Sequence, residues 1–175
     1  MQLSPFDGIV TAHHGEIYRY ILRVTARASE AEDLSQETFL RAYRAYHALT
    51  PDANVRAWLF AIATNVTRNH FRAEGRRRRG HAAVRETRTE LDGAGPEETT
   101  RFNEARALVD QVVARLPLKQ RLAFTLRKVH DLEYEAIGRS LDCSAESARA
   151  HVFQALKKIR QSLNGYDIHL MESRA

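Results

Sequence analysis

Apolar residues recur every three or four positions along most of the chain, and few glycines or prolines interrupt them. This is the period of amphipathic helices. It predicts three helices before residue 80. Ile9 to Ala26 aligns Ile9, Val10, Ile17, Tyr20, Ile21 and Val24 on one stripe. Ser29 followed by Glu32 is a capping-box signature, so a second helix is expected from about Glu30 to about His47. Leu34, Phe39, Leu40 and Tyr43 form its apolar side. Pro51 and Asp52 make Leu49 to Asn54 a loop. A third helix then runs from Val55 towards Glu74, with Trp58, Leu59, Ile62, Val66 and Phe71 as its core stripe.

From Gly75 to about Thr100 the pattern stops. The segment holds few large apolar residues and is broken by Gly93, Gly95 and Pro96. Such a stretch buries too little surface to offset the entropy of ordering, and it reads as a linker. Helical periodicity resumes over Phe102–Leu116, Leu118 to about His130, Glu133–Leu141 and Ala145–Leu163, the last capped by Ser144. The final two, joined by a short turn, form a helix-turn-helix pattern. Leu132, Ile137, Leu141, Val152 and Leu156 are its expected core, and Gly138 together with an uncapped Glu133 suggests an irregular first helix. The expected fold is all-α: two small helical domains joined by a flexible linker, spanning 6–80 and 102–163 with 81–101 between them.

At 175 residues, each half can bury only a modest core of its own. The single cysteine, Cys143, excludes a disulfide scaffold, and no apolar run is long enough to span a membrane. The N-terminal stretch shows no export signal, so a cytoplasmic location is expected. Lys and Arg number 27 against 22 Asp and Glu, which points to an acidic partner, nucleic acid first. Only four of those 27 are Lys; Arg suits phosphate and guanine.

Two segments together resemble one family. They are DLSQETFLRAYRAY with VRAWLFAIATNVTRNHFRAEGRRRR, and ARLPLKQRLAFTLRKVHDLEYEAIGRSLDCSAESARAHVFQALKKI. They look like the two conserved domains of a bacterial RNA polymerase sigma factor of the extracytoplasmic-function group. The resemblance implies that 6–80 binds core RNA polymerase and the minus-10 element of promoter DNA, and that 102–163 binds the minus-35 element. It also implies an anti-sigma protein as a further partner.

Asp33, Gln36, Glu37 and Leu40 share one helix face by spacing. The resemblance makes that face the polymerase contact; otherwise it is a solvated face with pairs such as Glu37–Arg41. Asn54, Trp58, Asn65, Arg68, Asn69 and Arg72 become the minus-10 set, a base pocket and a cationic track. Trp58 reads more readily as core than as a stacking platform. The run Arg76–Arg79 adds phosphate contacts or merely opens a solvated linker. Arg149, Ala150, His151, Phe153, Gln154 and Lys157 become the minus-35 set. Here the chain departs from the family, because Ala150 stands for a serine and His151 and Gln154 stand at positions that are often arginine. Gln pairs bidentately with adenine and Arg with guanine, so a preference shifted towards adenine is expected opposite Gln154.

No enzyme is expected, and no cofactor. His13, His14 and Glu16 lack metal-ligand spacing, and Cys143 has no neighbouring base. The rival reading is a stand-alone helix-turn-helix regulator that binds operator DNA without polymerase. A third is a decoy that occupies polymerase without recognising promoters.

Overall fold

Seven α-helices and no strand make up the described part of the computed structural model: the backbone of residues 5–80 and 100–172, and the side chains of 5–80 and 106–164. The helices are α1 (Pro5–Thr25), α2 (Ala28–Ala45), α3 (Val55–Gly80), α4 (Thr100–Ala114), α5 (Leu118–Lys128), α6 (Tyr134–Leu141) and α7 (Ala145–Glu172). A 3-10 turn, Tyr46–Ala48, follows α2. The all-α expectation holds. Most of the expected linker, residues 81–99, lies outside the described residues.

The helix ends differ from expectation for local reasons. α1 stops where Ala26 turns left-handed (φ 59°) and its N–H returns to Leu22 O at 2.8 Å. That break lets α2 start at Ala28, so Ser29 lies inside the helix and the capping box does not form. Arg27 is extended ahead of α2, makes no side-chain cap and pairs instead with Glu30 at 2.5 Å. Asn54 caps α3: its Oδ1 accepts from Ala57 N–H at 2.9 Å. α3 continues to Gly80 and takes in Arg76–Arg79, braced by Arg78 on Glu74 one turn back at 3.2 Å. α7 continues past Leu163 to Glu172.

The turn between α6 and α7 is tight. Asp142 is left-handed (φ 52°), Cys143 N–H bonds Gly138 O at 2.9 Å, and Ser144 Oγ caps Ser147 N–H at 3.1 Å. A Cβ on Gly138 would lie 2.7 Å from Cys143 O and 3.1 Å from Ala145 N. Gly138 therefore permits close approach of the turn to a regular α6, and is not the irregularity expected.

The two halves share one core. A single apolar cluster joins Ile17, Tyr20, Ile21, Leu59 and Phe60 to Leu122, Leu126, Ile137 and Leu141. α3 packs on α6, and α1 packs on α5. A second cluster lies between α4, α5 and α7: Val112, Val113, Leu116, Phe124, Ala155 and Ile159. Each fully buried Leu, Ile or Phe contributes about 1.5–3 kcal/mol, so joining the halves gives each what a core of its own would lack. Of the expected core of the helix-turn-helix, Leu132, Ile137, Leu141 and Val152 are buried and Leu156 is partly buried.

Candidate functional site

The polymerase face expected on α2 is well presented. Asp33, Gln36 and Leu40 are exposed and Glu37 is half-buried, while Leu34, Ser35, Thr38 and Phe39 turn inward. Leu40 and Tyr43 expose 52% and 54% of their surface, large for apolar side chains with core available nearby. Arg41 Nε pairs with Glu37 at 2.5 Å. Together these make a mixed acidic and apolar ridge on α2.

The minus-10 set divides along α3. Asn65, Asn69 and Arg72 are exposed, as are Arg76–Arg79 beyond them. Asn54 is exposed but its Oδ1 is spent on the cap. Trp58 is partly buried against the core, which bears out its reading as a core residue. Arg68 is not on an open cationic track. It is 6% exposed, and its Nη1 donates to Asp142 Oδ2 at 2.7 Å and to Ser140 O at 3.4 Å. The reason is the packing of α3 on α6, which lays the α6–α7 turn over Arg68. The Arg68 guanidinium holds the Asp142 carboxyl below its ordinary range.

A second polar contact locks the same interface. Arg56 and Glu16 pair, Arg56 also donates to His130 O at 2.6 Å, and His130 Nδ1 lies 3.2 Å from Glu16 Oε1. Burial raises the Glu16 carboxyl, but hydrogen bonds from Arg56 and His130 outweigh it and hold the group low. Burial pushes His130 down, against the pull of Glu16. Neutral His130 then donates from Nδ1, while its buried Nε2 has no partner; a proton there would be unsatisfied. The imidazole sits against the rings of Tyr20 and Phe60. Farther along, Arg121 donates to Val24 O at 2.8 Å, and Arg23 pairs with Asp110 at 2.8 Å.

On α7 the minus-35 set faces outward, with one exception. Arg149, Ala150, Phe153, Gln154 and Lys157 are exposed, Phe153 at 68%. His151 is half-buried and its Nδ1 has no partner; burial and then Lys119 lower its basicity. It is the least exposed member of the set. Arg149 stacks over the Tyr134 ring at 4.8 Å, and Arg127 lies over the same ring at 4.8 Å. Stacking leaves the guanidinium edge free for guanine or phosphate.

Among the described residues, Glu30, His70 and Glu74 bring ligand-type atoms within 4.8 Å of one another. Arg27 and Arg78 already neutralise those carboxylates, so the group is an ion-pair network tying α2 to α3. Cys143 is a half-buried free thiol in the turn. Glu16, Gln120, His130, Tyr134 and Asp142 carry contacts that no local pattern announces, because their partners lie on other elements.

The family models for Sigma-70 region 2 and Sigma-70 region 4 match residues 9–77 and 106–159. The RNA polymerase sigma-H factor of Pseudomonas aeruginosa is 33% identical over 165 residues, covering 90% of this chain and 86% of its own. The chain belongs to the extracytoplasmic-function sigma factors. The ECF RNA polymerase sigma-E factor of Escherichia coli K12 is 32% identical, with 88% of this chain and 84% of that protein covered. It follows that this sigma factor binds core RNA polymerase and promoter DNA and directs promoter-specific initiation. The stand-alone regulator reading falls, since it left residues 9–77 as core alone.

Two solved structures share the sigma factor's fold. The sigma factor RpoE of Bartonella quintana, in complex with the anti-sigma factor NepR, superposes with a TM-score of 0.77 over 93% of this chain and 98% of that one, at 19% identity. CnrH, in complex with the cytosolic domain of CnrY, gives 0.65 over 91% and 88%, also at 19% identity. No helix among the described residues is long and apolar enough to cross a membrane.

Proposed function

We propose that this sigma factor rests in a closed form and must open to engage a promoter. Residues 6–80 and 102–163 act as its two working units. Asp33, Gln36, Glu37 and Leu40 dock on core polymerase. Asn65, Asn69, Arg72 and, once released, Arg68 bind the minus-10 strand beside Asn54 and Trp58. Arg149, Ala150, Phe153, Gln154 and Lys157 read the minus-35 duplex, with His151 behind them. The protein does no chemistry of its own and works in the cytoplasm, where an anti-sigma partner is expected to favour the closed form.

The observation that carries this reading is the burial of Arg68 beneath Asp142. A guanidinium placed for a DNA backbone is held by a carboxylate from the unit that reads the other promoter element. Phosphate and Asp142 compete for it, so core and promoter must pull the halves apart.

The test places donor and acceptor dyes at Arg44→Cys and Lys158→Cys in a Cys143→Ser background, both sites being exposed. Energy transfer should be high in the free protein and fall in holoenzyme that gives run-off transcripts from a promoter pool. Unchanged transfer in transcribing holoenzyme would overturn the closed-form reading. Transcription that survives Glu37→Lys would overturn the docking assignment.

A further inference from the structure

Gln154 is exposed on α7, but its amide is not free to turn. Gln120, half-buried on α5, donates from Nε2 to Gln154 Oε1 at 2.8 Å. The other end of the Gln120 amide, Oε1, is buried without a partner. Turning that amide over would bury an amino group with two unsatisfied hydrogens in place of one oxygen, so the donor end stays towards Gln154. Gln154 Oε1 is therefore engaged within the protein, and Nε2 is left as its unengaged edge.

We propose that Gln120 is a positioning residue that turns Gln154 so that its amide nitrogen leads towards the minus-35 element. This rests on the assignment of Gln154 to that element. Bidentate adenine recognition needs the amide oxygen for adenine N6–H and the nitrogen for N7. With one lone pair of the oxygen held by Gln120 and the oxygen turned towards α5, the amino group leads the outward edge. It favours guanine, through O6 and N7, or thymine, through O4; adenine offers it N7 but leaves the neighbouring N6–H without an acceptor. The adenine preference expected from residue type is replaced by a guanine or thymine preference set from α5, an element outside the recognition helix.

The chemistry supplies its own reversal. A glutamate at position 120 offers only acceptors, so it draws Gln154 Nε2 inward and turns the amide oxygen out. The outward group then accepts, and it favours cytosine N4–H or adenine N6–H. Holoenzyme made with the wild-type chain, Gln120→Glu, Gln120→Leu and Gln154→Ala would each select bound duplexes from a library randomised across the upstream promoter. The base position that Gln154→Ala flattens is the one Gln154 faces.

At that position wild type should favour guanine or thymine, Gln120→Glu should favour cytosine or adenine, and Gln120→Leu should lose the bias. Each change should be roughly fivefold in relative base frequency, as one hydrogen bond allows. Preferences at the minus-10 element should not move. If Gln154→Ala flattens a position but Gln120→Glu keeps the wild-type base there, Gln120 is only structural and the proposal fails. If Gln154→Ala flattens nothing, the assignment of Gln154 itself fails.

Discussion

Replacing Gly138 by alanine tests how the helix-turn-helix is built, because two physical effects oppose each other there. Alanine is better than glycine inside a helix by about 1 kcal/mol. Gly75, within α3, has nothing within 4 Å of an added Cβ, so Gly75→Ala should stabilise the protein by about 0.5–1 kcal/mol. At Gly138 the same Cβ would meet Cys143 O at 2.7 Å and Ser144 C and Ala145 N at 3.1 Å, all of them backbone. Relieving such overlap means shifting the turn, which costs about 1–3 kcal/mol. The helix gain offsets part of this, so Gly138→Ala should lose about 1 kcal/mol and Gly138→Val about 3 kcal/mol or more. Urea unfolding followed by far-ultraviolet circular dichroism reads both sites on one scale. The sign should reverse between Gly75 and Gly138. A Gly138→Ala protein as stable as wild type would refute the close-approach argument. The displaced turn also carries the start of α7, so the same variant should lose minus-35 binding in holoenzyme even where it remains folded.

Two further outcomes follow from the described contacts. His130 is held below its ordinary value of 6.5, facing Glu16, Arg56 and Arg23. The unfolded chain takes up a proton that the native chain refuses, so stability is full above about pH 6.5 and falls as the pH drops below it. His130→Gln should make the melting temperature fall less steeply over that window, the half-buried His151 supplying part of the remainder, and an unchanged pH slope would show that another group is responsible. On α2, Leu40 is exposed, so Leu40→Ala should leave stability within about 0.5 kcal/mol. It should still weaken binding to core polymerase about tenfold, measured by competition with the wild-type chain, if the ridge is a docking anchor.

The helices were legible because they rest on local patterns: the stripe of α1, the Ser144 cap and the turn at DCS each show in a few residues. The error at Ser29 and Glu32 has a local cause as well. The pattern was correct in form, but Ala26 turned the chain two residues earlier and gave the cap position to Arg27. The outward face of α7 could be read from spacing, and so could Asp33 and Gln36 on α2, but Leu40 and Tyr43, expected on the apolar side of α2 with Leu34 and Phe39, stand exposed. The closed interface could not be read this way. Arg68 and Asp142 lie 74 positions apart, and His130 and Glu16 lie 114 apart. Arg68 looks the same in sequence whether it faces phosphate or carboxylate. Gln120 was hidden for a related reason, since its significance comes from reaching across to another helix.

The shared core has a thermal corollary. Pulling α6 from α3 and α5 from α1 wets apolar side chains now sealed in one cluster. Hydration of such surface raises the heat capacity, and the force that keeps it dry weakens on cooling. Excluded solutes such as sulfate strengthen that force, whereas simple salts mainly screen exposed ion pairs. Separating the halves should therefore carry a positive heat-capacity change and be opposed more by excluded solutes than by simple salts.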